Sequence, residues 1–205
     1  MKRHTVAIVT AGLSQPSSTR LLADRLAAAT EQVMTGRGLD VTVEFVELRD
    51  HARDVTNAAL TGFPSPPLRA AIETVVQADG LIAVSPIFNA SYSGLFKSFF
   101  DVIDDDSLTG TPVLIAATGG TERHSLALEH APRPLFSYLK ALVVPTAVYA
   151  ASSDWGPGER NHDALATRIH QAAEELADQV SRTSAADPPD ASDAVEPFEQ
   201  LLVTS

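Results

Sequence analysis

Five short apolar runs, each followed by a segment whose apolar residues recur at helical spacing, restrict this chain to very few folds. Thr5 to Ala11 is the first, rich in β-branched residues and closed by Gly12, as a buried strand entering a loop would be. Leu22, Leu26, Ala29 and Val33 then follow helical spacing until Gly36 and Gly38 end the pattern. Val41, Val43 and Phe45 alternate with polar neighbours as a second strand, and a polar stretch runs from Arg49 to Asn57. Ser65-Pro66-Pro67 offers an N-cap and a proline first turn to a helix carrying Leu68, Ile72, Val75 and Val76. Gly80 to Ser85 and Pro112 to Ala117 read as the third and fourth strands, with Leu95, Phe96, Phe99, Val102 and Ile103 marking the helix between them. A helix from Leu126 to Leu142, interrupted by Pro132 and Pro134, precedes the fifth strand, Val143 to Ala150. Leu165, Ile169, Ala172, Leu176 and Val180 lie on one face of a last helix.

Strands alternating with helices of this length imply right-handed crossovers and a parallel sheet covered on both faces, a doubly wound α/β fold. The 205 residues suffice for one domain with a buried core and a tail. Residues 1–182 are expected to form the domain. Residues 183–205 read as an acidic, proline-containing tail, with Pro188-Pro189, five acidic residues and no basic one, and with Phe198, Leu201 and Leu202 able to dock as a short amphipathic end.

A net charge of −11 without a Lys/Arg run argues against a nucleic-acid partner, so an anionic ligand would be held locally. The absence of Cys excludes disulfides, thiolate metal sites and Cys nucleophiles. The scattered histidines offer no metal-ligand spacing, and no Gly-x-Ser-x-Gly elbow marks a serine hydrolase. With neither a signal-type leader nor a membrane-length apolar run, the expectation is a cytoplasmic protein without a membrane partner.

Open α/β sheets bind ligands outside the carboxyl ends of their strands, which selects three loops. Gly12 to Arg20, after strand one, is crowded with hydroxyls at a helix N-terminus, and Arg20 adds charge; this suits a phosphate. Lacking both the Walker ending and a Gly-x-Gly-x-x-Gly fingerprint, the loop fits a monophosphate better than a triphosphate or a dinucleotide. Simple capping by Ser17 or Ser18, with Arg20 in solvent, accounts for it equally well. Ser85 to Gly94, after strand three, has Pro and Asn to fix a tight backbone path against a flat polar ring edge, with Phe88 as apolar surface; the alternative is a turn capped by Asn89, Ser91 or Ser93. Ala117 to Ser125, after strand four, has two glycines that permit close backbone approach, and Arg123 and His124 within reach of a ligand; a flexible turn is the plainer reading.

Taken together, Pro16-Ser17-Ser18-Thr19-Arg20, the Pro86-x-Phe88-Asn89-x-Ser91-x-x-Gly94-x-x-Lys97 string and Ala117-Thr118-Gly119-Gly120 with Arg123-His124-Ser125-Leu126 resemble the loops of the NADPH-dependent FMN reductases, across roughly residues 5 to 150. That family includes the flavin reductases that supply reduced FMN to two-component monooxygenases. The resemblance implies a flavodoxin-like fold with a five-stranded parallel sheet of order 2-1-3-4-5. It also implies FMN as cofactor and NAD(P)H as reductant. Carried over by residue, Ser14, Ser17, Ser18, Thr19 and Arg20 would hold the phosphate. Pro86, Ile87, Phe88 and Asn89 would line the isoalloxazine, with Thr118, Gly119 and Gly120 on its other edge and Arg123 and His124 as nicotinamide-nucleotide candidates. Many relatives carry Tyr where this chain has Phe88. The implied chemistry is hydride transfer between two rings, which needs no catalytic acid or base from the chain. An FMN-containing quinone or azo reductase is the nearest alternative, and a flavodoxin-type electron carrier a more distant one. Finally, Phe96, Phe99 and Phe100 spread around their helix predict a homodimer or homotetramer packed there.

Overall fold

Val6, Ala7, Ile8 and Val9 have no solvent exposure, so the first run is apolar on both faces because helices cover both sides of the strand it forms, β1 (Arg3–Thr10). The structure, a computed structural model, describes residues 3–155 and 159–185. The tail expected from residue 183 lies almost wholly outside the described residues. In chain order β1 is followed by α1 (Ser18–Gly36), β2 (Asp40–Glu47), α2 (Ala52–Thr61), α3 (Pro66–Val76), β3 (Gly80–Phe88) and β4 (Ser91–Tyr92). Then come α4 (Gly94–Asp101), β5 (Pro112–Gly119), α5 (Ala127–His130), α6 (Pro132–Tyr138), β6 (Leu142–Val143), β7 (Val148–Ala151) and α7 (Glu159–Ala185).

The sheet runs β2-β1-β3-β5-β6, with β7 also paired to β5 and all of these pairings parallel. This is the doubly wound order expected, with one difference: the fifth strand comes in two pieces. Val113 pairs with Val143 but Ala116 with Val148, so two extra residues bulge out between the pieces. Pro145 cannot donate to the ladder there, and Arg133 and Glu175 take over the freed groups. Arg133 donates to the carbonyls of Val144 and Pro145, each at 3.0 Å, while Glu175 accepts from Thr146 N–H and Oγ1, each at 2.7 Å. β2, at the edge, packs Val41, Val43 and Phe45, all half-buried, against one face of the sheet and buries only Val46 on the other, which is why its sequence alternates.

Two cores flank the sheet. α1 and α7 close one, around Ile8, Leu22, Leu26, Ile82, Leu114, Leu176 and Val180; α2 to α6 close the other. The polar stretch after β2 is helical: α2 buries only Val55 and Ala58 and ends at Gly62, whose φ of 78° suits glycine. Pro132 starts α6, so the interrupted helix is two short ones. The aromatic helix α4 corrects one expectation: Phe96, Phe99 and Phe100 are 1%, 0% and 2% exposed, packed against one another and Phe136. Their own chain covers them, so they leave no open aromatic face to call for a partner. Lys97 pairs with Asp101 on the same helix. Among the described residues no helix is long and apolar enough to cross a membrane.

Candidate functional site

The sheet order turns back between β1 and β3, and the loops after β1, β3 and β5 meet at that edge. Ala11 N–H still donates to Val84 O at 3.0 Å, one residue past β1, before the first loop leaves the sheet. At Gly12 a Cβ would stand 2.1 Å from Ser17 Oγ, so only glycine lets the loop fold back onto its own helix cap. Ser17 Oγ accepts from Arg20 N–H at 3.3 Å as N-cap of α1. The remaining first-turn N–H groups have no helical partner, and no acidic side chain occupies that turn. With Ser14 and Ser18 exposed and Ser17 half-buried, the loop turns hydroxyls and amides toward a cleft of about 670 Å³.

The other wall of that cleft is charged. Arg20 donates through Nε to Asp24 at 2.7 Å and through Nη1 to Glu47 at 2.5 Å, and its guanidinium lies 3.9 Å from the Phe45 ring centroid. Partial burial opposes the Arg20 charge, but the hydrogen bonds and charges of Asp24 and Glu47 outweigh it and raise its pKa above the ordinary arginine range. Glu47 in turn accepts from Thr10 Oγ1 at 2.6 Å. Arg49, just beyond β2, lines the same cleft, and Gln15, with its amide oxygen turned to Arg49, accepts from Nη1 at 2.8 Å. Trp155 completes the rim, with the Arg25 guanidinium 4.8 Å from its ring centroid.

The second loop is more ordered than its sequence suggests, because β3 continues to Phe88 and turns back as a hairpin, pairing Ile87 with Tyr92 and Phe88 with Ser91. Asn89 and Ala90, at φ 48° and 69°, form the two-residue turn. Ser85 Oγ accepts from Ser93 N–H and donates to Pro86 O, each at 2.9 Å, while Ser93 Oγ caps α4 through Phe96 N–H at 3.2 Å. Pro86 is buried and in register with Thr118; Phe88, 47% exposed, and Asn89 stand out at the sheet edge.

In the third loop, a Cβ on Gly119 would lie 2.0 Å from Tyr149 Oη, so the glycine makes room for the phenol. Tyr149 Oη donates to Thr121 O at 2.8 Å, and burial together with the Asp154 charge raises its pKa above the usual tyrosine range. Thr121 caps a short 3-10 turn, Glu122–His124, which Glu122 ties to Ser153 at 2.8 Å. Arg123 and His124 are exposed on this turn. Thr19 and Thr118, both buried, join the first loop to the third through hydroxyls 2.8 Å apart.

The expected site residues therefore fall into three groups. Ser14, Ser17, Ser18 and Arg20 share one cleft; Thr19 and Thr118 bridge loops; Pro86 to Asn89 and Gly119-Gly120 continue along the same edge. Arg123 and His124 lie beyond them. Sequence reasoning missed Asp24, Glu47, Arg49, Trp155 and Tyr149. The strand-end rule that selected the three loops also reaches Glu47 and Arg49, since they follow β2, the neighbour of β1.

The sequence profile of the family described as NADPH-dependent FMN reductase matches residues 4–156. An FMN reductase (NADPH) from Pseudomonas aeruginosa is 38% identical, covering 84% of this chain and 90% of the relative. The NADH-dependent FMN reductase SfnF from Pseudomonas fluorescens is 40% identical, covering 84% and 89%. Among solved structures, an oxidoreductase from Corynebacterium diphtheriae superposes with a TM-score of 0.84 at 43% identity, covering 88% of this chain and 98% of that one.

Proposed function

Because this chain belongs to the NADPH-dependent FMN reductase family, a family of flavodoxin-like oxidoreductases, we propose that it transfers hydride from NADPH or NADH to FMN at the edge formed by its three loops. The observation that carries the assignment to this edge is the hydroxyl-lined cleft at the α1 N-terminus, where Ser17 caps Arg20 N–H, the other first-turn amides have no helical partner and no acid occupies the turn. Its chemistry suits a monophosphate. Ser14, Ser17 and Ser18 would bind the phosphate with Arg20 beside them, and Pro86 to Asn89 with Thr118 to Gly120 would take the ring.

Hydride transfer is supplied by nicotinamide and flavin themselves, so the chain's part is to hold the two rings in register and exclude water. The Thr19–Thr118 bridge supports that role by fixing the third loop to the phosphate-side loop, and the hairpin by stiffening the second loop. Arg123 and His124, exposed past β5, are the proposed contacts for the nicotinamide nucleotide. The same reading puts the enzyme in the cytoplasm, where NAD(P)H is supplied, and gives a flavin-dependent monooxygenase as recipient of the reduced FMN.

The test is NADPH and NADH oxidation by the purified chain, first with added FMN and then with a quinone. Turnover with FMN supports the proposal. Turnover with quinone alone would move the assignment to a quinone reductase, and FMN binding without turnover would move it to an electron carrier.

A further inference from the structure

We propose that Glu47 and Asp24 set how tightly the flavin phosphate is held, by keeping Arg20 neutralised inside the cleft; the inference rests on the FMN reading above. Among the described residues the charged side chains of the cleft wall are two guanidiniums, Arg20 and Arg49, and two carboxylates, Asp24 and Glu47, and these four sum to no net formal charge. That is unusual for a place meant to grip a dianion. Arg20 is the residue whose type and position point to the phosphate, yet its Nε and Nη1 are both engaged, at 2.7 and 2.5 Å, and the Phe45 face fixes its plane.

Glu47 is not free to swing aside. Its second oxygen is held by Thr10 Oγ1 at 2.6 Å, and its side chain is only 20% exposed, against 48% for Asp24. An arriving phosphate therefore meets Arg20 in competition with a fixed carboxylate and is repelled by that carboxylate as well. Binding then rests on the serines, the helix amides and Arg49. A flavin held this way exchanges readily, as an electron-delivering substrate must.

A merely structural role for Glu47, clamping β1, β2 and α1 together, would affect every flavin alike. A charge effect would affect FMN and spare riboflavin, which has no phosphate. The experiment is fluorescence titration of the full chain with FMN and with riboflavin, in wild type, Glu47→Gln and Asp24→Asn, with thermal melting to confirm folding. Removing one unit charge about 10 Å or less from a dianion at a partly screened site tightens binding on the order of tenfold. The FMN dissociation constant is expected to fall by that factor in Glu47→Gln and by less in Asp24→Asn, with riboflavin changing less than about twofold. An unchanged or larger FMN constant, or parallel changes for both flavins, overturns the proposal. Should Glu47→Gln not fold, Asp24→Asn, on an exposed helix face, decides alone. If wild type binds neither flavin the FMN reading itself falls; if it binds both and the ratio stays fixed, only this proposal does.

Discussion

Replacing Gly119 with Ala perturbs the third loop at one atom. The new Cβ would stand 2.0 Å from Tyr149 Oη and 3.0 Å from Cζ, and Tyr149 is a core residue, 6% exposed, that cannot swing into solvent. Either the ring or the strand end must move. Overpacking of a filled interior costs about 1–3 kcal/mol, and losing the Tyr149–Thr121 hydrogen bond adds about 1 kcal/mol. The sum, about 2–4 kcal/mol, corresponds for a chain of this length to a melting temperature lower by roughly 5–15 °C. Tyr149→Phe alone loses the hydrogen bond, at about 1 kcal/mol, but also removes the atom that clashes. The double variant Gly119→Ala/Tyr149→Phe should therefore be more stable than the two single losses predict, by about 1–2 kcal/mol. Urea denaturation of the four proteins measures this cycle. Strict additivity, or a Gly119→Ala protein as stable as wild type, would refute the claim that the glycine exists to admit the phenol.

Thr19→Val or Thr118→Val should each cost about 1–3 kcal/mol by leaving a buried hydroxyl alone, while the double Val variant loses less than the sum, again read by a denaturation cycle. Because burial raises the Tyr149 pKa, the stability this residue contributes is complete below tyrosine's unfolded pKa of about 10 and is lost as pH rises from there through the folded value. Tyr149→Phe should therefore flatten the alkaline limb of a stability-versus-pH curve; an unaltered limb would assign that loss to other groups.

Much of this fold is legible along the chain because its central strands are buried on both faces, so Thr5 to Ala11, Gly80 to Ser85 and Pro112 to Ala117 read as unbroken apolar runs. What escaped is where few side chains carry the signal. α2 buries Val55 and Ala58 alone, too few to set a period, and β4 is two residues long. The break in the fifth strand follows from Pro145, but its repair by Arg133 and Glu175 joins residues distant in sequence. The site divides the same way. Hydroxyls and glycines at strand ends announce the three loops locally. Asp24 is an i,i+4 partner of Arg20, but the Glu47 half of the acid clamp and the fit of Tyr149 to Gly119 arise only when β2 lies beside β1 and β7 beside β5. The aromatic residues of α4 misled for a related reason: their apolar width is taken up by Phe136 of this chain, not by a second copy.

Hydride transfer from a nicotinamide to FMN on this protein can be observed directly. Mixing it anaerobically with FMN and a stoichiometric amount of NADPH or NADH, and following the visible flavin absorbance, tests this without any further acceptor. The flavin band is expected to bleach as the nicotinamide is oxidised, one equivalent for one. A band that stays unchanged, with the nicotinamide unconsumed and FMN bound, would contradict it.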